Sequence, residues 1–96
     1  MIEVRETEVF SKWLRELRDR RGRRAIVVRI QRLAQGNAGD VKTVGHGVSE
    51  LRIRYGPGYR VYFVRRGEAL IILVAGGDKR SQKQDIAMAV ELAREL

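Results

Sequence analysis

A chain of 96 residues has room for one domain, expected to span residues 1–96, and not for two. Its 44% apolar content supports a packed core, while zero cysteines and one histidine exclude disulfides, thiolate zinc sites and histidine metal clusters, so no metal or other cofactor is expected. Twenty lysines and arginines against 12 acidic residues give a net charge of +8, the footprint of a protein that meets a polyanion.

The basic excess lies early in the chain. Residues 1–36 carry ten basic and five acidic side chains, residues 37–66 six and two, and residues 67–96 four and five. No apolar run is long enough to span a bilayer and no signal-peptide pattern opens the chain, so a cytoplasmic protein without membrane contact is expected.

Ile2–Arg5 alternates apolar and polar residues, a short first strand. Thr7 is placed as the N-cap of a helix running to about Arg20, whose Phe10, Trp13, Leu14 and Leu17 fall on one face. Gly22 interrupts, and the β-branched Ile26, Val27, Val28 and Ile30 would allow a strand, but the helical spacing of Ile26, Ile30, Leu33 and Ala34 and the stop at Gly36 favour a second helix, completing a helical hairpin. Val41–Val44 is a short strand in glycine-rich chain. Val48–Tyr55 and Tyr59–Arg66 read as two strands joined by the three-residue loop Gly56-Pro57-Gly58. Ala69–Ala75 is apolar throughout, as in a central strand covered on both faces. Ser81 stands three residues before Gln84, a capping-box spacing, ahead of an amphipathic helix with Ile86, Ala89, Val90, Ala93 and Leu96. The pattern is α+β: a helical hairpin and a C-terminal helix packed on a mostly antiparallel sheet of four to five strands.

The hairpin carries the densest chemistry. A three-residue loop pairs Arg54 with Arg60 and Arg52 with Tyr62, so alternation places Leu51, Ile53, Val61 and Phe63 toward the core and Arg52, Arg54, Arg60 and Tyr62 on the opposite face. Like charges opposed across a ladder are unfavourable, and an anion between the strands would relieve them, a phosphate suiting arginine's fork. The same pattern also fits a solvated basic face. Gly76-Gly77-Asp78-Lys79-Arg80 could bring backbone and charge close to an anion at the last helix, or be an ordinary turn. Arg18, Arg20, Arg21, Arg23 and Arg24 fit a grip on a nucleic-acid backbone or a solvated helix turn. His46, in a glycine-flanked loop, is a surface histidine or a general base.

Leu51-Arg52-Ile53-Arg54, Gly58-Tyr59-Arg60-Val61-Tyr62 and Gly77-Asp78-Lys79-Arg80-Ser81-Gln82, in this order along nearly the whole chain, resemble the RelE/ParE superfamily of toxin–antitoxin killers, most closely its phage-derived, HigB-type addiction-module branch. The resemblance implies a RelE-like, microbial-RNase-like fold that enters the ribosomal A site and cuts messenger RNA. Arg52, Arg54 and Arg80 would bind RNA phosphate, and Arg60 would stabilise the charge that develops as a 2′-hydroxyl attacks the adjacent phosphate. Arg21, Arg23 and Arg24, read from the arginine run and not from the resemblance, would add RNA-backbone contacts. Arginine is a poor proton shuttle, which leaves Lys79, Tyr62, His46 and Asp85 as acid–base candidates. The RNA-cleaving pattern places a tyrosine in the C-terminal segment, where this chain has Ile86 and no tyrosine after Tyr62. Members resembling ParE, which inhibit DNA gyrase without cutting RNA, are the alternative, and a non-catalytic nucleic-acid binder is a third. Either toxin implies a cognate antitoxin, a DNA-binding helix-turn-helix or small acidic protein, and the nuclease implies ribosome and messenger RNA as partners.

Overall fold

The computed structural model describes residues 2–96. Strand β1 (Glu3–Glu6) is followed by helices α1 (Glu8–Glu16) and α2 (Arg20–Ala34), strands β2 (Val41–Gly45), β3 (Val48–Ile53), β4 (Tyr59–Arg66) and β5 (Leu70–Gly77), and helix α3 (Gln82–Ala93), which a short 3₁₀ turn at Lys79–Ser81 precedes. The sheet order is β1-β5-β4-β3-β2, antiparallel except for the parallel β1–β5 pair. The fold is the expected α+β arrangement of three helices on a mostly antiparallel sheet.

The two faces of the sheet are covered by different helices. Phe10 of α1 and Ile26 and Leu33 of α2 pack with Leu51, Ile53, Val61, Phe63, Ile71 and Leu73. On the other face Ala89 and Ala93 of α3 meet Val48, Tyr62, Val64, Val74 and Ala75. Burial on both faces is why β4 and β5 read as nearly continuous apolar runs.

Local signals set most boundaries, and tertiary contacts moved several. Thr7 caps α1 as expected: its Oγ1 accepts from the Phe10 amide at 3.1 Å and donates to the Val74 carbonyl at 2.6 Å, fastening the helix to β5. The helix stops at Glu16, short of Arg20, because Leu17 turns extended and the Arg23 guanidinium takes its carbonyl. Asp19 then caps α2, its Oδ1 accepting from the Gly22 amide at 3.0 Å. Gly22 therefore lies inside the helix and does not interrupt it. A methyl built there would fall 2.5 Å from the Tyr59 ring, so glycine is required by the close seat of that ring.

The β3–β4 loop has five residues, 54–58, two more than expected. Ile53 pairs with Tyr59, Arg52 with Arg60, and Glu50 with Tyr62. A two-residue change leaves every side chain on its expected face, since strand side chains alternate with period two. In this register Tyr59 stands opposite Ile53 on the core face, where its hydroxyl donates to Asp19 Oδ2 at 2.8 Å and ties the hairpin to the N-cap of α2.

At the other end β5 runs on through Gly76 and Gly77, which pair with Val61 and Arg60. A methyl on Gly76 would fall 2.2 Å from Trp13, and one on Gly77 would fall 1.8 Å from Asp85 Oδ2. These glycines admit the chain's own side chains. The capping box before α3 belongs to Asp78 and Ser81, with Asp78 Oδ1 accepting from the Arg80 amide at 2.9 Å, and the expected Ser81–Gln84 box is absent because Ser81 Oγ donates to Asp85 Oδ2 instead.

Candidate functional site

Strand alternation brings Glu50, Arg52, Arg60 and Tyr62 to one face of the β3–β4 ladder, at the end that the start of α3 overlies. Arg52 and Arg60 stand directly opposite each other, which would be unfavourable for two bare cations. The relieving anion comes from the chain itself. Glu50, with its side chain fully buried, accepts from Arg52 Nε at 3.1 Å on Oε1 and from Gln82 Nε2 at 2.8 Å on Oε2, and Oε2 lies 3.6 Å from Arg60 Nε. A carboxylate so enclosed requires pairing of this kind. The sequence reading missed Glu50, although its position two residues before Arg52, hence on the same strand face, was a usable signal.

Arg60 is largely enclosed, with 12% of its side chain exposed, and its Nη1 donates to the Gly58 carbonyl at 2.6 Å. Its Nε is buried without an acceptor in hydrogen-bonding geometry. Arg52 is about one-third exposed and opens the pair to solvent. Tyr62 has no exposed surface, and among the described residues its buried hydroxyl has no hydrogen-bond partner although Glu50 is near. Burial, and then the Glu50 carboxylate, push this phenol well above its ordinary value, so it keeps its proton at physiological pH.

Lys79 is exposed beside this end: a methyl on Gly58, whose φ of +80° suits glycine, would lie 3.1 Å from Arg60 Nη1 and 3.7 Å from Lys79 Cβ. Arg80 is exposed and pairs with Asp78 at 3.3 Å. With Asp78, Ser81, Lys83 and Gln84 it lines an open polar depression of about 550 Å³ at the start of α3. Asp85 is nearly buried, and burial raises its carboxyl above the ordinary carboxylate value, opposed by the Ser81 hydroxyl.

Other expected residues lie apart. Arg54 falls beyond the end of β3, 85% exposed, and pairs with Asp40 at 3.2 Å. Arg23 closes the α1–α2 link through the Leu17 carbonyl, its Nε buried. Arg21 and Arg24 are exposed on α2 and, with Arg20, line a second depression of about 310 Å³. His46 is exposed in the β2–β3 turn with φ +56°. The Gly56–Gly58 loop approaches Asp19, the N-cap of α2, at Gly56 and approaches Arg60 and Lys79 at Gly58.

The chain is an α+β domain with a helical hairpin on one face of a mostly antiparallel sheet, a closing helix on the other and paired arginines on the β3–β4 hairpin. The model of the phage-derived Gp49-like proteins (DUF891) matches residues 12–96. A Haemophilus influenzae protein, described as uncharacterized, is 46% identical over 95 residues, covering 99% of this chain and 96% of its own length. The chain belongs to the Gp49-like family, which lies within the RelE/HigB-like toxin superfamily. Such a toxin has an antitoxin partner. Among the described residues no helix is long and apolar enough to cross a membrane.

Proposed function

We propose that the protein is the toxin of a HigB-type module and a ribosome-dependent messenger RNA endoribonuclease acting in the cytoplasm. The observation that supports this best is the Arg52–Arg60 pair, facing each other across one ladder and held by a buried carboxylate at a partly open surface. Two guanidiniums at that spacing suit a phosphate, which takes parallel N–H donors. Attack by an RNA 2′-hydroxyl, which gives up its proton, would form the 2′-O–P bond and break the P–O5′ bond, leaving a 2′,3′-cyclic phosphate and a 5′-hydroxyl that takes up a proton. Arg60, fixed and poorly solvated, would stabilise the charge that builds on the equatorial phosphate oxygens without reorganising. Lys79, exposed and lying beside Gly58 like Arg60 Nη1, would exchange the proton, whereas Tyr62 is too enclosed to do so. Arg54, Arg80, Arg21 and Arg24 would hold flanking phosphates and supply affinity without sequence preference. No cofactor enters the scheme. The antitoxin, a helix-turn-helix or small acidic protein, would cover the basic face.

The test is cell-free translation of a defined messenger RNA with and without ribosomes, mapping new 5′ ends by primer extension. Codon-positioned ends that need ribosomes and are lost with Arg60→Ala and Arg60→Lys are the expected result. Intact message with wild-type protein overturns it and favours the gyrase inhibitor, the reading that the absence of any tyrosine after Tyr62 supports. Inhibition of gyrase supercoiling then decides between that inhibitor and a binder without catalysis.

A further inference from the structure

We infer that Glu50 is the positioning residue of this anion site: its carboxylate accepts a hydrogen bond from Arg52 Nε and holds Arg60 by charge at 3.6 Å, which leaves the Nη groups of Arg52 and Nη2 of Arg60 for an anion. The inference rests on the phosphate-binding reading of that pair. A guanidinium has five N–H donors and can bind through an Nε edge or through its Nη groups. Both arginines approach Glu50 through Nε, at 3.1 and 3.6 Å, and Arg60 spends Nη1 on the Gly58 carbonyl. Gln82 fixes the second carboxylate oxygen from the start of α3, and Tyr62 walls the site from behind.

Glu50 has no exposed surface and so touches no ligand itself. Its action is through the arginines, in two ways. It fixes the direction of two long, flexible side chains before an anion arrives, and it lowers the charge of the three-residue cluster from +2 to +1. These effects oppose each other in kinetics. Replacing the carboxylate by an amide of the same shape leaves a stronger cationic field, which favours ground-state binding. It also frees the guanidiniums to rotate, and a displacement on the order of 1 Å can cost about 10²-fold in rate.

The test compares wild type, Glu50→Gln and the exchange Glu50→Gln/Gln82→Glu, which keeps a carboxylate and an amide in the network but moves the charge off the two Nε groups. With message-programmed ribosomes, Glu50→Gln is expected to lower kcat by about 10²-fold with KM unchanged or lower. The exchanged variant is expected to recover folding stability without recovering kcat. Recovery of kcat by the exchange overturns the inference, because a carboxylate anywhere in the cluster would then suffice, as does a Glu50→Gln enzyme with normal kcat. Should Glu50→Gln not fold, the exchanged variant alone carries the comparison.

A readout independent of cleavage keeps this separate from the nuclease reading. In ¹⁵N spectra, the Arg52 and Arg60 Nε–H resonances of wild type are expected to be resolved and slow to exchange, and to shift together on titration with pyrophosphate. The exchanged variant is expected to lose both properties while its backbone amide spectrum is retained. Unchanged Nε–H resonances in that variant sink the role of Glu50 even if wild type cuts RNA. Pinned resonances in an enzyme that never cuts RNA sink the nuclease reading and leave Glu50 as the organiser of an anion site.

Discussion

Two sets of arginines in this molecule obey different physics. Arg52 and Arg60 stand on rigid strands around a buried carboxylate, with the geometry of both guanidiniums fixed by named partners. Arg20, Arg21 and Arg24 project from the first turns of α2 into solvent, and among the described residues none of them is in an ion pair. Fixed charge in a poorly solvated place can stabilise a transition state, while mobile surface charge contributes affinity that salt screens. Composition counts both sets alike. Only the paired set is held in place by named partners.

The sharpest way to break this comparison is Arg60→Ala. It removes the cation beside Glu50 and is expected to cost about 3 kcal/mol, as for a buried pair that loses one member. Cleavage should fall about 10²-fold or more, and urea unfolding together with primer extension measures both. A substitution that leaves stability unchanged would place Arg60 with the surface set.

Gly77→Ala tests how tightly the surroundings are packed. The new methyl meets Asp85 Oδ2 and is expected to destabilise by about 2 kcal/mol through overpacking. Adding Asp85→Ala should recover part of the loss, which a double-mutant cycle in urea reads directly.

Tyr59→Phe probes the joint between α2 and the hairpin, with an expected loss of about 1 kcal/mol. The pH dependence of this joint is two-sided. The Gly22 amide, and then the Tyr59 hydroxyl, hold Asp19 below its ordinary value, so its contribution is present above the ordinary carboxylate range and is lost as pH falls through the folded value. Burial, and then Asp19, push Tyr59 up to about 12, so its contribution is present below about 10 and is lost as pH rises toward the folded value. Urea midpoints across pH should show both limbs in wild type, and the alkaline one should flatten in Tyr59→Phe.

Tyr62→Phe deletes a buried hydroxyl that has no partner among the described residues and should change stability by less than about 1 kcal/mol. Cleavage is expected to persist within a few-fold. A large loss would restore Tyr62 as an acid–base group. The smallest effects belong to Arg21→Ala and Arg24→Ala, each within about 0.5 kcal/mol in stability. Each should also reduce the slope of log affinity against log salt by about 0.7 for single-stranded RNA. Equal salt slopes for these variants and wild type would remove α2 from the RNA path.

The sequence by itself determined the number and kind of the elements, the α+β class and the faces of each strand, because apolar periodicity and caps are local and act within a few residues. It also brought Arg52, Arg60 and Tyr62 to one face, since alternation survives a two-residue change of register. The tertiary structure decided where those faces met. The observed register, in which Tyr59 reaches Asp19 forty residues earlier, leaves Arg54 beyond the ladder and puts Arg52 opposite Arg60. Trp13 and Asp85 turned Gly76 and Gly77 from a ligand loop into strand. The anion between the arginines, expected from outside, came from Glu50, whose meaning depended on Arg60 across the ladder and Gln82 on a distant helix. A buried charge is tolerable only with all its partners assembled, and no stretch of sequence contains them together.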